Sequence, residues 1–170
     1  MAKRGVALIG MPGAGKTGVG KRVAQLLGRA FIDTDASVEK SEGMSVSDIF
    51  AQKGEPYFRA REREAVAAAA HKCAVISCGG GAALDSENAR VLKEHCTVAY
   101  LAASLETLVA HVGNGAGRPL LDGDVRKKTE ELLALREGTY TRVADITVNT
   151  DGKSVEEVAA EIVRAVRRAR

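Results

Sequence analysis

Five short apolar runs divide the 170-residue chain, at 6–9, 30–32, 74–76, 97–101 and 146–148. Each is too short for a core helix and shows none of the alternation of a half-exposed strand, which predicts buried parallel strands. Helical spacing fills the gaps. Val19, Val23, Leu26 and Leu27 follow the first run, and Gly28 is placed to end that helix. Residues 34–72 read as helix broken around Gly43 and Gly54. Ser45 or Ser47 caps the piece that carries Ile49 and Phe50, and Pro56 is tolerated in the first turn of the next. Ala65 and Ala67 to Ala70 predict a close-packing helix face. Further helices are expected over 88–94, from an N-cap at Ser104, and from Asp124 to about Val143. Val155, Val158, Ala159, Ile162 and Val166 repeat with helical period and predict a last amphipathic helix. Strand followed by helix, five times over, predicts an α/β fold as one domain spanning 1–170. The one long loop is expected at 112–124.

Composition changes this picture little. The chain is 45% apolar, has no Trp, and carries a net charge of +3 with Lys and Arg scattered, too little to imply nucleic acid. Arg164, Arg167, Arg168 and Arg170 fit a solvated helix end. No apolar run approaches membrane-spanning length and the N-terminus lacks a signal-like apolar segment, so a cytoplasmic protein is expected. Cys73, Cys78 and Cys96 lack metal-ligand spacing and are expected to be buried, reduced thiols.

The first strand runs into Gly10-Met11-Pro12-Gly13-Ala14-Gly15-Lys16-Thr17, a complete G-x-x-x-x-G-K-[ST] phosphate-binding loop between strand and helix. Its glycines let successive N–H groups turn inward, Lys16 brings charge to the β- and γ-phosphates, and Thr17 offers a hydroxyl to Mg²⁺. Asp33-Thr34-Asp35 follows the second strand. On an extended backbone these carboxylates would point to opposite sides, one toward a metal and one toward a second substrate; capping of the next helix is the alternative. Arg59 and Glu62 are i,i+3 neighbours able to pair. Cys78-Gly79-Gly80-Gly81 ends the third strand, either as a close backbone approach to a ligand or as a plain turn. The glycines of 113–123 surround a single Arg118, as in a mobile lid that brings a cation on closure.

No DxxG and no NKxD occurs anywhere in the chain, which excludes a guanine-nucleotide switch. The blocks Gly10 to Thr17, Asp33-Thr34-Asp35, Gly54-Glu55-x-x-Phe58-Arg59-x-x-Glu62, Gly79-Gly80-Gly81, Arg118-Pro119-Leu120-Leu121 and Arg136-x-x-x-Tyr140 together resemble shikimate kinase over nearly the whole chain. The resemblance implies a three-layer P-loop kinase fold: a five-stranded parallel sheet of order 2-3-1-4-5 flanked by helices, with an acceptor-binding insertion at about 34–62 and a lid at about 113–123. It implies transfer of the ATP γ-phosphoryl to the 3-hydroxyl of shikimate, with Mg²⁺, in aromatic amino-acid biosynthesis. ATP would meet Gly13, Ala14, Gly15, Lys16, Thr17, Gly18 and Arg118; the metal would meet Thr17 and, through water, Asp33. Asp35 would take the acceptor hydroxyls and act as base. Arg59 and Arg136 would clamp the shikimate carboxylate, Glu62 would fix Arg59, and Gly79, Gly80, Gly81, Phe50 and Phe58 would line the pocket. Lys16, Asp35 and Arg118 are the implied catalytic residues. A monomer acting on small molecules is expected, without nucleic-acid or membrane partners. Gly18 stands where the family commonly has Ser or Thr, and His111 where it often has Arg against adenine, so a weaker ATP site is expected. A kinase for gluconate or a nucleoside monophosphate and an inactive relative are the competing readings.

Overall fold

The computed structural model describes residues 3–113 and 123–169. Arg118, and with it all of the expected lid except its end residues Gly113 and Gly123, lies outside them. In chain order the elements are β1 (Gly5–Ile9), α1 (Lys16–Leu27), β2 (Ala30–Asp33), α2 (Thr34–Glu42), α3 (Val46–Lys53), α4 (Glu55–Ala70) and β3 (Ala74–Ser77). A 3₁₀ turn (Ala82–Leu84) leads to α5 (Ser86–His95), β4 (Cys96–Ala102), α6 (Leu105–Val112), α7 (Val125–Val143), β5 (Ile146–Asn149) and α8 (Val155–Arg168). The strands form one parallel sheet in the order β2-β3-β1-β4-β5, as the motifs imply.

The sheet centre is buried on both faces: Val6, Ala7, Leu8, Val75, Ile76, Val98 and Ala99 are all fully inaccessible. Such strands need helices on either side. α1 packs against α8, and α4 against α5. Helix ends follow local chemistry. Gly28, at φ 62° and ψ 41°, closes α1 in a Schellman arrangement, with Gly28 N donating to Gln25 O at 3.2 Å and Arg29 N to Ala24 O at 2.9 Å. Gly43 and Gly54 separate α2, α3 and α4, and the Ser45 hydroxyl, not that of Ser47, caps α3 by accepting from Asp48 N at 3.0 Å. Asp124 caps α7, and a reciprocal Ser154–Glu157 capping box starts α8.

Three expectations need correction. Val155 is 49% exposed: as the first residue of α8 it precedes the turn that faces the core, which begins at Val158 and Ala159. Cys73 is exposed because it lies between α4 and β3, while Cys78 and Cys96 are buried on the sheet. On α4, Val66, Ala69 and Ala70 face the core and Ala68 is exposed.

Between Thr17 and Gln25, α1 crosses the sheet at Gly20, where an added methyl would lie 2.6 Å from Phe31 Cε2 and 3.2 Å from Leu8 Cδ1. Alanine favours a helix interior by about 1 kcal/mol over glycine. Here the stiff Phe31 ring and the β1 core must move, and overpacking costs about 1–3 kcal/mol. Gly20→Ala is therefore expected to lower the midpoint of urea unfolding. A midpoint raised above the parent's would show that α1 does not sit this close to the sheet.

Candidate active site

β1 and β3 are neighbours in register, Leu8 opposite Ser77, and Cys78 N donates to Leu8 O at 3.0 Å. The loop after β1 and the glycines after β3 therefore leave the same sheet edge side by side. In the first of these, Gly15 adopts φ 89° and ψ 18°, a left-handed conformation that glycine alone reaches without strain. As the N-cap of α1 it brings no side chain, and the first turn of α1 holds no acidic residue. The N–H groups there remain open to an anion. Gly13 is required by contact: an added methyl would lie 2.8 Å from Val112 Cγ2 and 3.0 Å from Leu108 O of α6. Lys16 is buried inside the curl, its Nζ donating to Gly10 O and Met11 O at 2.8 Å each. The Nδ1 of His111 lies 3.0 Å from the Gly13 carbonyl, which can only accept, so Nδ1 carries a proton.

The strand–turn–helix after β2 differs from the extended path expected of it. β2 stops at Asp33, whose Oδ1 accepts from Ala36 N at 3.1 Å and caps α2, so Asp35 lies in the first helical turn. The two carboxylates diverge because Asp33 is the extended N-cap, its side chain turned to the helix start and Thr17, while Asp35 already lies on the helix. Asp33 Oδ2 is 3.2 Å from Thr17 Oγ1 on the phosphate loop. Asp35 faces away, toward β3.

A plain turn does not explain Gly79, Gly80 and Gly81, since none has positive φ. Contact does. A methyl group on Gly79 would lie 2.6 Å from Asp35 Oδ1 and 2.9 Å from Glu62 Oε2. On Gly80 it would meet Pro12 at 2.9 Å and Arg136 Nη1 at 3.3 Å, and on Gly81 both terminal nitrogens of Arg59 at 2.6 Å. Three adjacent residues thus each hold a charged side chain at close range. Arg59 Nη1 donates to Glu62 Oε1 at 2.9 Å and its Nη2 to Glu55 Oε1 at 3.2 Å, while the guanidinium carbon lies 5.3 Å from the centre of the Phe58 ring. Phe58 packs in a small second core with Val38 and Ile49, and its ring centre is 5.0 Å from that of Phe50.

Burial pushes the Asp35 carboxyl above the usual range, and Asp33 adds to the shift against the pull of Lys16 and Arg59. Glu62, 1% exposed, is likewise raised by burial, in spite of Arg59. Asp35 Oδ1 and Glu62 Oε2 are buried oxygens without a hydrogen-bond partner. Such orphaned acceptors are unusual in a native fold and fit a site that receives donors from a ligand.

A cavity of about 380 Å³ is lined by Pro12, Gly13, Gly15, Lys16, Thr17, Gly18, Asp33, Asp35, Ser77, Cys78, Gly79, Gly80 and His111. Arg59, Gly81, Arg136, Phe50 and Phe58 do not line it; Arg59 and Arg136 join the site through Gly81 and Gly80. Ala14 lies buried within the loop itself. Sequence reasoning missed Thr34, whose buried hydroxyl accepts from Gly79 N at 3.0 Å and faces Ser77 O at 3.4 Å. It also gave Tyr140 no task, although its hydroxyl donates to Gly80 O. A polar residue between two aspartates at a strand end was the only signal for the first.

Residues 12–167 match the family model described as Shikimate kinase. The chain belongs to the shikimate kinase family. It is 47% identical to the shikimate kinase of Salinispora arenicola over 156 residues, 91% of this chain and 93% of the relative. The Persephonella marina shikimate kinase is 41% identical over 165 residues, covering 96% and 99% of the two chains. Among solved structures, shikimate kinase from Acinetobacter baumannii in complex with shikimate superimposes with a TM-score of 0.94 at 32% identity, covering 98% of this chain and 94% of that one. The chain is thus an ATP-dependent kinase by family.

The raised Asp35 carboxyl makes a stability prediction. A carboxyl with a folded-state pKa above its unfolded one destabilises the fold wherever it is ionised, and this cost disappears as pH falls through the folded pKa. Asp35→Asn is expected to raise Tm at pH 7, with the gain over the parent shrinking on acidification. A Tm lowered at pH 7, with the loss shrinking on acidification, would instead place Asp35 in a stabilising ion pair.

Proposed function

We propose that this protein transfers the γ-phosphoryl group of ATP to the 3-hydroxyl of shikimate, giving shikimate 3-phosphate and ADP on the route to aromatic amino acids. The observation that carries this reading is the glycine run after β3, which gathers Asp35, Arg59 and Arg136 next to the phosphate loop. A polyhydroxy acid asks for that set: acceptors for its hydroxyls and a cationic fork for its carboxylate.

Gly13, Ala14, Gly15, Lys16, Thr17 and Gly18 bind the triphosphate through backbone N–H groups and the start of α1. Lys16 exchanges carbonyl partners for phosphoryl oxygens and meets the charge that builds during transfer. The place of Arg118 in the Arg118-Pro119-Leu120-Leu121 motif supports a second cation there. Thr17 Oγ1 and Asp33 Oδ2, 3.2 Å apart, are the hard oxygen donors that suit Mg²⁺, directly or through water. Held there, Mg²⁺ would supply positive charge to the phosphates during transfer. Asp35 accepts hydrogen bonds from the acceptor and takes the proton that its 3-hydroxyl loses as the new P–O bond forms. Arg59, braced by Glu55, Glu62 and the Phe58 ring, pairs with the carboxylate together with Arg136. All of these contacts come from one chain, so a monomer suffices.

Gly18 is exposed and supplies no hydroxyl; a methyl added to it would lie 3.9 Å from Val155 Cγ2, in ordinary contact. Gly18→Thr is expected to lower KM for ATP and leave KM for shikimate unchanged.

ADP release with shikimate, gluconate and AMP offered in turn is expected to respond to shikimate alone. EDTA abolishes it and excess Mg²⁺ restores it. Lys16→Ala is expected to fold and to lose at least about 100-fold in kcat, about 2.7 kcal/mol of transition-state stabilisation. Turnover of AMP or gluconate in place of shikimate would overturn the assignment. Near-parental kcat in folded Lys16→Ala would overturn the role of the loop.

A further inference from the structure

Tyr140 follows Arg136 by one turn of α7, so the two share a helix face. It is fully buried, one of the largest inaccessible side chains in the fold, and its ring stacks obliquely on Tyr100 of β4 at 5.1 Å between centres. Phenylalanine would fill nearly the same space, so packing does not call for the hydroxyl. A buried hydroxyl costs free energy unless it is bonded, and this one donates to the carbonyl of Gly80. The sulfur of Met11, on the phosphate loop, lies 3.9 Å from the same oxygen. The Arg136 guanidinium lies by the same glycine: a methyl on Gly80 would sit 3.3 Å from its Nη1. Burial pushes the phenol up to about 12, so it remains a neutral donor across the physiological range.

The bond to Gly80 fixes more than a carbonyl. In a planar trans peptide the C=O of Gly80 and the N–H of Gly81 point in opposite directions. Tying the carbonyl to α7 turns the Gly81 N–H away from α7. One residue earlier, the Gly79 carbonyl accepts from Ala82 N at 3.0 Å, which turns the Gly80 N–H away from the 3₁₀ turn. Among the described residues, neither the Gly80 nor the Gly81 N–H donates a hydrogen bond. Unpaired N–H groups in a half-buried segment need a partner, and a ligand rich in hydroxyl and carboxylate oxygens supplies one.

We propose that Tyr140 is a positioning residue for the acceptor: its hydroxyl holds the Gly80–Gly81 peptide, beside the Arg136 guanidinium, in the orientation that receives the acceptor's oxygens. This rests on the reading of shikimate as the acceptor. Tyr140 touches no reacting atom, and its effect is on binding.

Tyr140→Phe removes the oxygen and keeps the ring. With ADP release measured at saturating co-substrate, KM for shikimate is expected to rise about three- to tenfold, the worth of one well-placed hydrogen bond. KM for ATP is expected to stay at the parental value and kcat within about twofold. Equilibrium binding of shikimate by calorimetry is expected to weaken by the same factor. A merely structural hydroxyl would lower Tm and weaken both substrates together, and that outcome overturns the proposal. So does a parental KM for shikimate in the variant. If the parent enzyme itself turns over no shikimate, the acceptor reading has failed first; if it does and the variant matches it, the positioning role alone is wrong.

Discussion

The site depends on three consecutive Cα atoms that carry no side chain. Gly79 touches the carboxylates of Asp35 and Glu62, Gly80 touches Pro12 and Arg136, and Gly81 touches Arg59. A methyl group on Gly79 or Gly81 would have to displace a charged side chain, and one on Gly80 the Pro12 ring of the phosphate loop. Displacing Arg59 would also strip Glu62, a 1% exposed carboxylate, of its salt-bridge partner. Breaking a buried pair from one side costs about 3–5 kcal/mol. The glycine run thus acts by occupying so little room that four charged groups from α2, α4 and α7 close around one strand end.

Sheet order makes this closure possible. With β3 next to β1 and in register with it, the glycine run leaves the sheet beside the phosphate loop. β2, on the other side of β3, ends in the Asp33 that caps α2 and faces Thr17. Thr34 then ties this corner to the run through Gly79 N, and Tyr140 ties α7 to it through Gly80 O. The phosphate loop and the residues proposed to hold the acceptor are therefore adjacent on one sheet edge. Each carboxylate there has a separate environment: Asp33 beside the Thr17 hydroxyl, Asp35 with an inaccessible, unpartnered Oδ1 and a raised carboxyl.

Much of this was legible in the sequence. Continuous apolar runs marked all five strands, and the Gly10 to Thr17 motif located the phosphate loop between strand and helix. For Asp33-Thr34-Asp35 the opposite facing of the carboxylates was legible, but propensity could not say whether strand or cap would win; the Asp33 side chain satisfied an N–H of α2 and ended the strand. Cys73 looked buried from its apolar neighbours but fell in a connection. The glycine run could have been a turn or a close approach, since only the packing of α2, α4 and α7 against it distinguishes the two. Tyr140 was visible as a motif letter and nothing more. Its partner lies 60 residues away, and no local pattern encodes that distance.

The central claim is that Arg59 and Arg136, held by Gly81 and Gly80, converge on one carboxylate. Charge-assisted bonds of this kind select an acid over a neutral isostere. The most direct measurement compares kcat/KM for shikimate and for its carboxamide in the parent, in Arg59→Ala and in Arg136→Ala. The account predicts a strong preference for the acid in the parent. Each substitution should cost about 30- to 1000-fold in kcat/KM for the acid, about 2–4 kcal/mol, with the preference much reduced. If both variants still favour the acid as strongly as the parent does, these arginines do not hold the carboxylate, and the acceptor pocket lies elsewhere.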